Sequence, residues 1–232
     1  MSAYRSERVP ARGSLVLKLL PIGIFSLAAV ILALKWADIP DRWPIHWGAS
    51  GQPDQWSVKS GVGVFLPLAG GVAACCFLEL VALIVRATTR RRHELEEETA
   101  TAIGWLITDL VRMLETAIAI VFAYISVTLP LFSPANPVRL VGIMIGAISA
   151  GIAAGMFRIW YGVRNLKRDG HKGLEGYNGI IYKNENDQRL WVPKMAGLGY
   201  TLNFANRWAW PILLLIAGIP IIFIVLILIR IQ

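Results

Sequence analysis

Residues Asp38–Lys59 read DIPDRWPIHWGASGQPDQWSVK and lie between two apolar runs. Three prolines (Pro40, Pro44, Pro53) and two glycines (Gly48, Gly51) rule out a long helix across this stretch. Four of the nine tryptophans, Trp36, Trp43, Trp47 and Trp56, fall in or beside it. Tryptophan joins a large apolar ring to one polar N–H and suits the boundary between lipid and water. The stretch therefore reads as a folded loop over one end of a membrane bundle. The apolar runs on either side become the first two spans.

The rest of the chain supports this reading. It is 56% hydrophobic and 16% charged, against about 25% charged for a soluble domain. The apolar residues come in blocks of the length a helix needs to cross about 30 Å of hydrocarbon. Short alternating strands of the β-barrel kind are not seen. The expectation is an all-α polytopic membrane protein with five transmembrane helices, a folded extracellular loop and a small cytoplasmic segment containing a β-hairpin.

The boundaries follow the blocks. Residues 1–14 are a basic cytoplasmic tail. Residues 15–85 hold the first two spans (15–34 and 61–85) with the outer loop 35–60. Residues 86–161 hold a charged connector and spans three and four, the third ending near Pro130 and the fourth covering 138–161. Residues 162–208 form a cytoplasmic segment, in which YNGIIYKNENDQRLWVPK reads as two strands around an Asn-Glu-Asn-Asp turn. Residues 209–232 carry the fifth span.

The net charge of +8 follows from orientation in the membrane rather than from binding nucleic acid. Sixteen Lys/Arg fall in the tail and the even-numbered loops, and five in the odd-numbered loops and C-terminus. That asymmetry places the N-terminus in the cytoplasm and, with five spans, the C-terminus outside. The first apolar run is longer than a signal-peptide core, so it reads as an uncleaved span.

Few residues carry chemistry. His46 shares the outer loop with Asp38, Asp41 and Asp54. A metal site needs three or four converging ligands, and a structural histidine needs only one partner, so no metal or cofactor is expected. Trp43, His46, Trp47, Asp54 and Trp56 are the candidate recognition surface, with a direct His46–Asp54 bond across the turn one arrangement of it. The plain alternative is a structural plug.

Asp109, Arg112 and Glu115 lie three apart, on one side of a helix. Either they line a polar cavity, with Glu79 as partner, or they are interfacial and reach water. Arg189, Trp191 and Lys194 mark a cytoplasmic surface for a partner or lipid headgroups, or the face of a small hairpin. Cys75 and Cys76 read as packing residues. In the fourth span, Gly142, Gly146 and Ala150 form one row of small residues, and Ala147, Gly151 and Gly155 another. No nucleophile, zinc or phosphate-loop motif is found.

The stretch IPDRWPIHWGASGQPDQWSVKS resembles a bacterial membrane domain of unknown function found in the family of the Sdp immunity protein. The resemblance rests on Pro40, Pro44, His46, Trp47, Gly51, Pro53, Asp54, Trp56 and Lys59. The family usually has Asn where Gly48 stands. A second stretch, YNGIIYKNENDQRLWVPKMAGLGYTLNFAN, looks like another small uncharacterised domain that often accompanies the first. It matches at Asn184, Asp187, Arg189, Val192, Pro193, Lys194, Gly199, Thr201, Asn203 and Phe204, with Gln188 where proline is common. The first resemblance implies a sensor or immunity protein of a bacterial cytoplasmic membrane, binding a peptide or toxin outside and a regulator inside.

Two other classes remain open from the residues. One is a small proton-coupled transporter using Asp109, Arg112 and Glu115. The other is a membrane enzyme with a site at the outer loop. The lipid bilayer is the one partner that composition requires.

Overall fold

The computed structural model describes residues 13–48, 50–91, 95–132 and 137–219. The arginines of the N-terminal tail, most of the FSPANP loop and the last part of the expected fifth span lie outside the described residues. In chain order come α1 (Leu15–Leu34), a 3-10 turn (Trp36–Asp38), β1 (Arg42–Trp47), β2 (Pro53–Val58), α2 (Gly61–Arg90), α3 (Glu97–Leu131), α4 (Pro137–Arg168), β3 (Trp191–Pro193) and β4 (Tyr200–Leu202). A shorter apolar helix, α5 (Ala209–Ile219), follows.

Four of these helices are long and apolar enough to cross a membrane, and the fold is that of an all-α polytopic membrane protein. Each begins where the sequence offers a start. Ser14 caps α1 by accepting from the Leu17 N–H, and Ser60 caps α2 by accepting from the Gly63 N–H. Both use a short side-chain oxygen to satisfy an orphan amide of the first turn.

α3 is the central helix. α1, α2 and α4 all lie against it, whereas α1 and α2 touch each other little. Close approach uses Gly71, whose missing side chain makes room for Phe25 and Phe122, and the row Gly151–Gly155, against Ala117 and Leu110. The other small-residue row of α4 packs on nothing described: open space surrounds Gly142 and Gly146. Two such rows predicted burial for both, and the bundle uses one. Cys75 is half-buried, Cys76 is exposed, and both are free thiols.

Helix lengths show where the extra residues go. At 1.5 Å per residue, about 20 residues cross the hydrocarbon. α1 has 20 residues, but α2 has 30, α3 has 35 and α4 has 32. The excess lies at the end where α1 starts, because the Ser14 amide meets Asp109, twelve residues into α3. α4 ends at Arg168 rather than near Tyr161. The expected boundary marked the end of the apolar window, but the helix continues because Val163 and Leu166 are fully buried in a second core.

There are thus two apolar cores. The first holds Phe25, Leu32, Ile39, Trp43, Leu68 and Leu129. The second holds Leu95, Ile103, Leu106, Val163, Leu174 and Met195. It is built from the helix extensions and from the segment after α4.

The loop between α1 and α2 is a β-hairpin, which the sequence reading gave only as a folded cap. β1 and β2 are antiparallel, with irregular register on either side of His46. Gly51, at φ 75°, closes the turn by donating its N–H to the Gly48 carbonyl. That left-handed backbone suits glycine. Pro44 and Pro53 are tolerated because a two-stranded sheet is all edge.

The hairpin expected between residues 177 and 194 is displaced. The paired strands are β3 and β4, joined through Lys194–Gly199, and the Asn-Glu-Asn-Asp stretch is a local turn held by Asn184. Asparagine at a turn bonds its own backbone two residues on. This chemistry closes a loop without needing strands on both sides.

Candidate functional site

Asp109, Arg112 and Glu115 sit between the two cores and are buried, at 1%, 5% and 4% exposure. Arg112 donates from Nη2 to Glu79 Oε1 at 3.1 Å and from Nη1 to the Ser14 carbonyl at 3.4 Å. Asp109 accepts from the Ser14 N–H at 3.0 Å and from Arg158 Nη2 at 3.0 Å. One charged layer therefore ties the start of α1 to α2, α3 and α4.

The layer lies level with the first residue of α1. Its side chains turn inward, and the trio is shielded from water. Charges at such a depth are costly unless paired.

The pairing is incomplete. Glu79 Oε2, Glu115 Oε1 and Arg112 Nε are buried without a hydrogen-bond partner. Glu79 and Glu115 also line a crevice of about 380 Å³ between α1 and α2, with Lys18 among its other lining residues. Among the described residues no three His, Cys, Asp or Glu side chains come together as metal ligands. Arg158 and the backbone of Ser14 are members that sequence reasoning missed. An isolated arginine where an apolar window ends was the one available signal, and nothing in the sequence joined it to Asp109.

At the hairpin end, Trp43 is buried in the first core and Trp56 is half exposed. His46 Nδ1 lies 2.5 Å from Asp54 Oδ1 across the two strands. Both side chains of this pair are open to solvent, at 56% and 50%. Trp47 packs at the edge of the core. The five candidate recognition residues therefore divide into an anchor, Trp43 with Trp47, and an exposed set, His46, Asp54 and Trp56.

At the far end, Asn203 is fully buried and fully bonded. Its side-chain amide donates to the Asn184 and Asp187 carbonyls, and its side-chain oxygen accepts from the Asn184 and Ala205 amides. Asp187 accepts from Arg189 and from the Tyr182 hydroxyl. The Arg189 guanidinium holds the Asp187 carboxyl well below the usual carboxylate range. Burial pushes the Tyr182 phenol up. Arg189 is thus committed to Asp187, while Trp191 and Lys194 remain at the surface.

This segment is clamped to the helix extensions. The Thr89 hydroxyl donates to the Ala196 carbonyl at 2.9 Å, and Gly197 approaches the backbone of Thr88. Thr99 bonds the His171 ring.

Residues 23–71 match the model described as Domain of unknown function (DUF1648). Residues 186–210 match the Family of unknown function (DUF5808). No curated protein and no solved structure matches the chain. The chain is an integral membrane protein of uncharacterised domains. The first match covers the hairpin with the adjoining parts of α1 and α2, and the second covers the strands around Asn203. The charged layer lies outside both, so its meaning comes from its geometry alone.

Proposed function

We propose that this protein is a receptor of a bacterial cytoplasmic membrane, sensing a peptide or toxin at the hairpin and reporting it to a regulator at the far end. The orientation rests on the Lys/Arg asymmetry, which puts the far end inside and the hairpin outside. The fifth span read from the sequence in 209–232 puts the C-terminus outside. The resemblance to the Sdp immunity family supports the peptide or toxin as the ligand class by analogy.

One observation carries the reading. α1 is attached to the hairpin at one end and bonded into the charged layer through Ser14 at the other. It lies on α3 but hardly on α2, so little beside α3 restrains its tilt. A ligand that favours one tilt of α1 shifts the population of the Ser14–Asp109–Arg158 and Ser14–Arg112–Glu79 contacts. These contacts continue into the helix extensions that hold the second core. Trp191 and Lys194 then present the surface that changes.

The test is made in cells. A strain lacking the protein is challenged with spent medium of its parent and complemented with wild type, Trp56→Ala or His46→Ala. Loss of tolerance on deletion, rescue by wild type and failure of both variants at normal membrane levels support the receptor. Unchanged tolerance on deletion, or full rescue by both variants, overturns it.

A proton-coupled carrier is the second reading, favoured by the burial of Asp109, Arg112 and Glu115. Proteoliposomes holding a pH-sensitive dye decide it: proton movement lost in Glu115→Gln supports a carrier, and a dye signal equal to that of empty vesicles excludes it.

A further inference from the structure

We propose that the crevice between α1 and α2 is a binding site for an organic monocation with an apolar body, an amine whose nitrogen meets Glu79 and Glu115. The inference stands on the crevice and is independent of hairpin recognition, which is read in cells rather than on purified protein.

The site has two chemically distinct ends. Ile22 and Phe25 of α1 and Val72 of α2 line the apolar part. Glu79 and Glu115 line the acidic part. Glu115 is 4% exposed, and its Oε1 has no partner. Glu79 gives Oε1 to Arg112 and keeps Oε2 without a partner. A buried carboxylate oxygen without a donor is costly, so a donor arriving through the crevice gains what the resting bundle lacks.

The volume, about 380 Å³, is within the range of small-ligand sites, about 300–1,000 Å³. Such sites are mostly apolar with a few placed polar groups, which is the division seen here. The crevice exists because α1 and α2 both pack on α3 and barely on each other.

Among the described residues, Arg112, Lys18 and Arg86 all bring positive charge to these carboxylates, Arg86 acting on Glu79. Arg112 is occupied by Glu79 and the Ser14 carbonyl. Lys18 lines the crevice from α1 and is exposed. Lys18 is therefore the chain's own competitor for the acidic end, and a ligand amine displaces its influence rather than adding to it. An anion finds two carboxylates in its way, and a neutral alcohol donates one hydrogen bond but brings no charge to them.

The probe is 4-phenylbutylamine, compared with 4-phenylbutanol, which keeps the shape and loses the charge. Binding is measured by calorimetry on the full chain in nanodiscs of phosphatidylcholine at neutral pH. The amine is expected to bind at least tenfold more tightly than the alcohol. Glu115→Gln is expected to remove that preference, and Lys18→Gln to strengthen amine binding.

Val72→Trp fills the apolar end and leaves both carboxylates in place. It is expected to abolish amine binding with an unchanged melting temperature, which keeps the test valid if Glu115→Gln fails to fold. Equal binding of amine and alcohol, or amine binding unaffected by Val72→Trp, overturns the proposal and leaves a crevice for lipid chains.

Discussion

His46–Asp54 and Arg112–Glu79 are both pairs of opposite chemical character, and they differ in nearly everything else. The first spans the hairpin in open solvent. The second joins α2 to α3, with Arg112 buried and Glu79 about a third exposed. An exposed pair contributes about 0–1 kcal/mol, because water screens it and the ordering of two side chains opposes it. Breaking a buried pair costs about 3–5 kcal/mol, because the remaining charge is stranded. The same donor and acceptor chemistry therefore shapes a surface at one end and sets the folded state in the middle.

Four tests probe this contrast, from the largest expected effect to the smallest. Arg112→Met strands Glu79 and Glu115 together and should destabilise by about 3–5 kcal/mol. The measurement is unfolding of purified protein in mixed micelles. Adding Glu79→Gln should recover part of the loss, since one stranded charge is removed. A loss below about 1 kcal/mol would put Arg112 in the same class as the exposed pair.

Asn203→Ala comes next. It removes an amide that makes four hydrogen bonds to half-buried partners on Asn184, Asp187 and Ala205, at about 1–3 kcal/mol in all. Local opening spreads that loss, so the expected result is a loosened segment rather than a misfolded bundle. Hydrogen exchange should rise over residues 182–206 and stay unchanged in α3. Uniform exchange across the chain would mean that the two cores are one cooperative unit.

Asp187→Asn tests the far end by pH. The folded carboxyl titrates below its unfolded value, so its contribution is complete at neutral pH and is lost as pH falls below about 4. Wild type should lose protection of this segment in acid. The variant should start lower at neutral pH and show little further decline.

His46→Ala should change stability by less than about 1 kcal/mol and leave the melting temperature within a few degrees. A large shift would make the hairpin pair structural and would weaken its use as a recognition surface.

The sequence made the membrane class legible through simple counts: apolar blocks of spanning length, charges between them and turn residues in the loops. It placed α1 and the start of α2 from the edges of the apolar runs and ended α3 near Pro130. It closed the fourth span near Tyr161, and α4 continues to Arg168, since hydropathy records where lipid stops and not where a helix does. It put the second hairpin around Asn184–Asp187, because a polar turn between aromatic residues has the same local pattern whether or not strands pair across it. Glu79, Asp109, Arg112 and Glu115 were legible as ionisable residues in apolar surroundings. Arg158 was not joined to them, since 49 residues separate it from Asp109.

What the sequence by itself determined is what depends on neighbours along the chain: membrane class, helix starts, loop chemistry and the spacing of the trio. What only the tertiary structure decided is which polar groups find a partner. The small-residue rows on α4 are equivalent locally, and only packing on α3 separates them. The trio is equally compatible with water and with burial, and only the arrival of Ser14, Glu79 and Arg158 from three other helices closes it off. Burial and pairing are properties of contacts between distant segments, and the energy of a charge depends on them more than on its position in the chain.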